Sequence, residues 1–215
     1  MSIAAPPSLP LPNPPRRNPA VYVALLLLAL AGLVVWRATA PRADARVELP
    51  VLSSVPAFSF VDQSGAPFDS AALDGQVWVA NFIFTRCPNI CPRFTAKMGA
   101  LQDRSLGPLP ALKLVSFTVD PEHDTPEVLK AYGEKHRADF ARWTFARGDK
   151  PALEKVIREG MLQPMDWGDG QDLNSVVHGS YFALVDRERR VRGVYRFTEP
   201  GAVDEVLRDA QLLLR

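Results

Sequence analysis

Apolar and polar positions divide this chain into three regimes. Residues 20–36, "AVYVALLLLALAGLVVW", are apolar throughout, with no charge between Arg17 and Arg37. From residue 56 onward, short runs rich in Val, Phe and Ile alternate with longer stretches whose apolar residues recur at three- and four-residue spacing. Residues 38–55, between these regions, carry Pro, Ala and mixed charge without an apolar period, which reads as a tether.

The alternating regime predicts strands at "AFSFVD", "VWVANFIF", "KLVSFTVD", "WTFAR", "SYFALVD" and "VRGVYRF". Helices are expected between them, at "PRFTAKMGALQDR", "DTPEVLKAYGEKH", "KPALEKVIREGM" and "GAVDEVLRDAQLLLR". Thr125 suits an N-cap, and Pro126 suits the first helical position, where a missing N–H costs nothing. Pro92 sets a helix start for the same reason, which puts Cys91 at that start and Cys87 in the loop leaving a buried strand. The polar turn "RERR" between the last two strands predicts an antiparallel hairpin ahead of a closing helix. This is an α/β pattern, and its order is that of a thioredoxin-like domain over residues 56–215: a central mixed sheet flanked by helices, with an inserted element.

The apolar stretch, taken as residues 20–37, reaches across a hydrocarbon core at about 1.5 Å per residue when Arg37 snorkels. A cleaved signal peptide is the rival, because "ATA" at residues 38–40 has the small-x-small form of a cleavage site. The run exceeds the usual apolar length of such peptides, about 7–15 residues, and Pro41 would become the first mature residue. An uncleaved anchor is therefore expected. Arg16 and Arg17 favour a cytoplasmic N-terminus, in which residues 1–19 form a flexible Pro-rich segment. The expected placement is a single pass through the inner (cytoplasmic) membrane with the C-terminal domain facing the periplasm. Thiols there can be oxidised to each other, so any use that needs them reduced implies an outside source of electrons.

Charge adds an exclusion. The chain has 25 Lys+Arg against 24 Asp+Glu, scattered along its length, so no basic footprint suggests nucleic acid.

The only two cysteines, Cys87 and Cys91, lie in "FIFTRCPNICPRF" with three residues between them. A structural disulfide, a redox pair and a ligand pair are all open readings. The helix dipole at Cys91 should favour its thiolate. The spacing is wider than the two-residue spacing of dithiol oxidoreductases, and two thiolates from one loop select a soft ion, Cu(I) or Zn(II), leaving room for an imidazole. His178, in the loop before "SYFALVD", is the best candidate, since in thioredoxin-like domains that loop faces the cysteine loop. Cys87, Cys91 and His178 would make an S₂N site that accepts copper in either oxidation state. His123 reads as a solvated loop residue and His136 as a surface residue at a helix C-terminus. Asp120 and Asp124 flank the loop after "SFTVD"; one would organise the turn and the other could support the site from behind. Met161 and Met165 read as packing, with a thioether ligand the less favoured alternative. "WGDGQD", with Trp167, reads as an exposed loop beside the site.

Together, "FIFTRCPNICP", "FTVDPEHDTPEVLKAY" and a histidine just ahead of "YFALVDRERRVRGVY", all behind one N-terminal span, resemble the Sco/SenC family of copper-binding proteins over residues 56–213. That family's pattern runs T-x-C-P-x-x-C-P, V-D-P-x-R-D-T-P and a late His. The resemblance implies a thioredoxin-like fold and copper bound by Cys87, Cys91 and His178. It also implies delivery of copper to, or thiol maintenance of, the binuclear copper centre in subunit II of cytochrome c oxidase during assembly. Val177 stands where the family usually has Asp, and His123 where it usually has Arg.

Two classes of function follow. A metallochaperone would pass copper by ligand exchange without turnover, served by an upstream periplasmic copper donor and a thiol reductant. A thiol–disulfide oxidoreductase would instead use Cys87 and Cys91 as its redox-active pair, and a peroxidase is a weaker third reading. Oxidoreductases of this fold usually carry a cis-proline where this chain reads "VVHGS", so a non-enzymatic role is expected.

Overall fold

The computed structural model describes residues 19–39, 48–88, 90–166, 177–178 and 180–215. The chain divides into two units, Met1–Arg46 and Val47–Arg215. In the first, helix α1 (Pro19–Thr39) has 21 residues, about 30 Å at the helical rise. Its segment Pro19–Arg37 is long and apolar enough to cross a membrane.

The second unit begins ahead of the expected domain start. Strand β1 (Ser53–Ser54) pairs with residues 190–191, and Val55 is buried, so the end of the stretch read as tether belongs to the sheet. That stretch has no apolar period because its contribution is an edge ladder only two residues long. The run "AFSFVD" also behaves differently from expectation. Its strand β2 (Ser59–Val61) forms a separate hairpin with β3 (Pro67–Asp69), joined to the main sheet by an isolated bridge from Val61 to Arg147.

The central strand β4 (Trp78–Ile83) is buried at every position, as a near-continuous apolar run requires when both faces are covered. Helix α2 (Ile90–Ser105) leads from it to β5 (Lys113–Thr118), and α3 (Pro126–Lys135) leads on to β6 (Trp143–Ala146). These three strands are parallel, with Phe82 beside Phe117 in register. A short helix α4 (Lys150–Glu154) and a π-helical turn, Lys155–Gly160, precede the small ladder of β7 (Met165–Asp166) and β8 (Val177–His178). Strands β9 (Tyr181–Val185) and β10 (Arg190–Arg196) make the expected hairpin, and α5 (Ala202–Leu214) closes the domain. The main sheet runs β1-β10-β9-β4-β5-β6, with β9 antiparallel to β4.

Alternation across β5 divides the core. Phe117 packs against Phe58, Phe60 and Phe82, whereas Ser116 donates to Asn81 and accepts the indole N–H of Trp143. On α2, Phe94 packs at a tilt against Phe182 and Phe197, with ring centroids 4.9 and 4.6 Å away. This is the thioredoxin-like arrangement, and it brings the loops after β4 and β5 to the same carboxyl edge of the parallel strands, where open α/β sheets build their sites.

Candidate metal centre

Two loops build the centre. The chain leaves β4 through Phe84 and turns, with Cys87 N–H donating to Phe84 O at 3.2 Å, before α2 begins at Ile90. The helix thus starts two residues ahead of Pro92, and Cys91 lies inside its first turn. The Cys91 N–H, one of the donors that a helix start leaves without a partner in the helix, points at the Cys87 sulfur 3.4 Å away. The positive helix end therefore acts on Cys87 as an acceptor.

Cys91 itself departs from expectation. Both thiols are buried, Cys87 with 9% exposure and Cys91 with none. Burial pushes the Cys91 thiol well above the usual thiol range; a backbone hydrogen bond from Phe84 opposes the shift, and the Cys87 sulfur and the charge of Asp124 add to it. Loss of solvation outweighs the dipole, so Cys91 holds its proton rather than favouring the thiolate.

The second loop separates the two aspartates. Asp124 is fully buried and accepts three hydrogen bonds, from Thr85 N–H at 3.1 Å, Thr85 Oγ1 at 2.5 Å and Thr118 Oγ1 at 2.5 Å. Burial raises its pKa while these donors hold it down. It ties the residue two before Cys87 to the neighbouring loop. Asp120 lies nearer the surface, paired with Arg86 at 2.6 Å. Thr125 caps α3 as expected, accepting from Val128 N–H.

Three participants were not singled out by sequence. Thr85 and Thr118 become visible only through Asp124, although Thr85 does sit in the "TRC" triplet. Tyr132, one position in an ordinary helical pattern, donates to or accepts from Thr95 Oγ1 at 2.8 Å, one turn beyond Cys91. Burial pushes its pKa up to about 12; the Thr95 hydroxyl opposes this, and the neighbouring cysteines add to it.

The histidines separate clearly. His123 is exposed, and its N–H donates to Asp120 O at 3.1 Å. His136 caps the C-terminus of α3 and packs at a tilt against the Tyr132 ring, centroids 4.5 Å apart, with its pKa lowered by burial and by Lys135. The backbone of His178 pairs with Met165 across the β7–β8 ladder; its side chain, and all of "WGDGQD" with Trp167, lie outside the described residues. Met161 and Met165 are buried, as packing residues would be. Among the described residues, no three His, Cys, Asp or Glu side chains gather at one point. The cysteine loop presents two adjacent soft donors, the chemistry that suits Cu(I) and leaves a further ligand to come from elsewhere in the chain.

Comparison with known proteins agrees with this fold. A SCO1/SenC lipoprotein from Bacillus anthracis superposes with a TM-score of 0.71 at 32% identity, covering 77% of this chain and 98% of that one. BsSco, a member of the Sco family of cytochrome c oxidase assembly proteins with a disulfide switch, gives 0.68 at 31% identity, covering 77% and 97%. Yeast Sco1 with copper bound gives 0.57 at 25% identity, covering 73% and 87%. The family model for SCO1/SenC matches residues 50–213, most of the second unit. The chain belongs to the SCO1/SenC family.

Proposed function

We propose that this protein is a membrane-anchored copper metallochaperone that binds copper through Cys87, Cys91 and His178. It delivers the ion to the binuclear copper centre of cytochrome c oxidase subunit II during assembly. The observation that carries the reading is the Cys91 N–H directed at the Cys87 sulfur, with both thiols buried where the chain leaves β4 and enters α2. Yeast Sco1 with copper bound and BsSco as an oxidase assembly protein support the cargo and the destination. The apolar segment Pro19–Arg37 serves as the anchor, and the second unit faces the periplasm, supplied by an upstream copper donor and a thiol reductant.

Copper is cargo here, so the protein's part is to offer ligands, exclude water and let go. Loading removes the proton that burial keeps on Cys91. Release proceeds by exchange of one ligand at a time with the acceptor, without turnover, so the protein is not an enzyme in this reading. Asp124 keeps the cysteine loop in place throughout, and Asp120 fixes Arg86 beside it.

Copper titration of the reduced full-length chain tests this. One copper per chain is expected, with binding lost in Cys87→Ser and thiolate-to-Cu(II) absorption altered in His178→Ala. Unchanged absorption in His178→Ala would rule out the three-ligand site.

The closeness of the two cysteines, with the Cys91 N–H on the Cys87 sulfur, also favours a second reading, a thiol–disulfide oxidoreductase. Cys87 and Cys91 would give two electrons and two protons to a disulfide in the partner's copper site, leaving a disulfide here and two thiols there. A reductase activity that needs both cysteines but not His178 would establish it.

A further inference from the structure

Lys97 makes contacts that the copper reading does not use. It is half-buried on α2, six residues beyond Cys91 on the same helix. Its ammonium group donates to two backbone carbonyls, Phe197 O at 2.5 Å and Glu199 O at 3.1 Å, which lie 100 and 102 residues away in the chain. Phe94, three positions earlier and so on the same side of the helix, packs against the Phe197 ring with centroids 4.6 Å apart, and the Lys97 nitrogen stands 5.9 Å from that ring. Ring and cation together fasten α2 to the residues that follow β10. Holding a long, flexible side chain in one place costs entropy that a solvated lysine keeps, so two charge-assisted bonds to backbone mark a fixed point.

That fixed point lies at the open end of the β9–β10 hairpin. The last pair of its ladder is Tyr181 with Arg196, and the Phe197 N–H carries it one step further by donating to Ser180 O at 3.0 Å. Ser180 follows His178 by two residues. On the other side, the His178 backbone is held by the two pairs of the β7–β8 ladder. The end of a ladder frays unless something ties it down. Here the tie runs from α2, whose first turn contains Cys91, through Lys97 and Phe197 to the chain just beyond His178.

We propose that Lys97 is a positioning residue for the copper site. By holding Phe197 and Glu199 to α2, it fixes the exit of the histidine loop relative to the helix that carries Cys91. The clamp stands on its own bonds; its effect on copper rests on the reading of His178 as a ligand.

Amide hydrogen exchange in the full-length, copper-free chain, held in detergent micelles, tests the clamp without metal. In the wild type the Phe197 N–H should exchange slowly although it lies at the end of a ladder. Lys97→Met, which keeps the apolar stem and loses the donors, should speed that exchange about tenfold or more, and Lys97→Arg, which keeps charge and donors, should restore it. Lys97→Met should also lower Cu(II) affinity about tenfold and alter the thiolate-to-Cu(II) absorption. Removing a positive charge from the same helix would by itself raise affinity for a cation, so the sign separates positioning from electrostatics. Beside His178→Ala, Lys97→Met should have no further effect on copper, because a residue that acts through the imidazole cannot act without it. A merely structural lysine would weaken both backgrounds alike. The proposal is overturned if Lys97→Met folds and leaves the Phe197 exchange unchanged, if it keeps wild-type copper binding where His178→Ala does not, or if its effect is undiminished beside His178→Ala. It is also overturned if the wild-type Phe197 N–H exchanges as fast as an exposed amide, which decides the matter even where Lys97→Met does not fold. If the exchange responds but His178→Ala leaves copper affinity unaltered, the clamp stands and the ligand reading falls.

Discussion

The two halves of the proposed copper site are built differently. The cysteine half is complete without metal: Asp124 is satisfied by three donors, the Cys91 N–H meets the Cys87 sulfur, and both sulfurs are buried. The histidine half hangs on a ladder of two residue pairs, beside the left-handed Leu162 and the buried Gln163 amide oxygen, which has no donor among the described residues. With His178 as the third ligand of the proposed site, the soft ion would meet the buried sulfur pair first and the imidazole second, and release would run in reverse.

The largest expected effect follows from removing the anchor of the cysteine half. Asp124→Ala leaves the Thr85 N–H and two hydroxyls without their buried acceptor, at roughly 1–3 kcal/mol for each group that finds no substitute. Removal of a buried carboxylate offsets part of this, because burial raises its pKa against the pull of its donors. A net loss of about 3 kcal/mol is expected in urea unfolding. Gln163→Ala on the histidine side should cost less, since it removes one side-chain hydrogen bond, from Nε2 to Met161 O, against the three that Asp124 accepts. Equal losses would erase the distinction between the halves.

Particular residues show how far the sequence carried. The five longer strands of the main sheet, the Thr125 cap and the closing hairpin were legible because each depends on neighbours in the chain. The two aspartates were not separable, since Asp124 is defined by Thr85, 39 residues away, and Asp120 by Arg86, 34 away. Cys91 departs from the expected thiolate for a related reason: the position of a cysteine at a helix start is local, but its burial is set by the whole fold. Ladders of two residues, in β1 and in β7–β8, fall below the length at which a period can be recognised.

Next in size is a pH effect peculiar to the cysteine half. The raised pKa of Cys91 means that the folded chain keeps a proton which the unfolded chain loses above about pH 8.5. The folded state then binds more protons, so stability of the reduced, copper-free protein is full below that pH. It falls above it by up to about 1.4 kcal/mol per pH unit. Unfolding free energies of the wild type and Cys91→Ala, compared across this range, should converge as pH rises. In the opposite sense, Cu(I) affinity should rise at least about tenfold per pH unit near neutrality, because binding displaces the Cys91 proton and any proton that Cys87 carries. A pH-independent affinity in that range would mean that Cys91 loads as a thiolate, as the dipole alone would have it.

The smallest effect lies at the surface of the same loop. Arg86 donates to Asp120 through Nε at 3.0 Å and Nη2 at 2.6 Å, but its side chain is 43% exposed, so water and salt compete for the pair. Arg86→Ala should cost less than about 1 kcal/mol, and the difference should shrink further when salt is raised. Copper affinity should change little, because the sulfurs are held from below by Asp124 and by the start of α2, not from the rim. A loss comparable to that of Asp124→Ala, insensitive to salt, would mean that the loop is clamped from outside. The cysteine half would then be as dependent on a single exposed contact as the histidine half is on its short ladder.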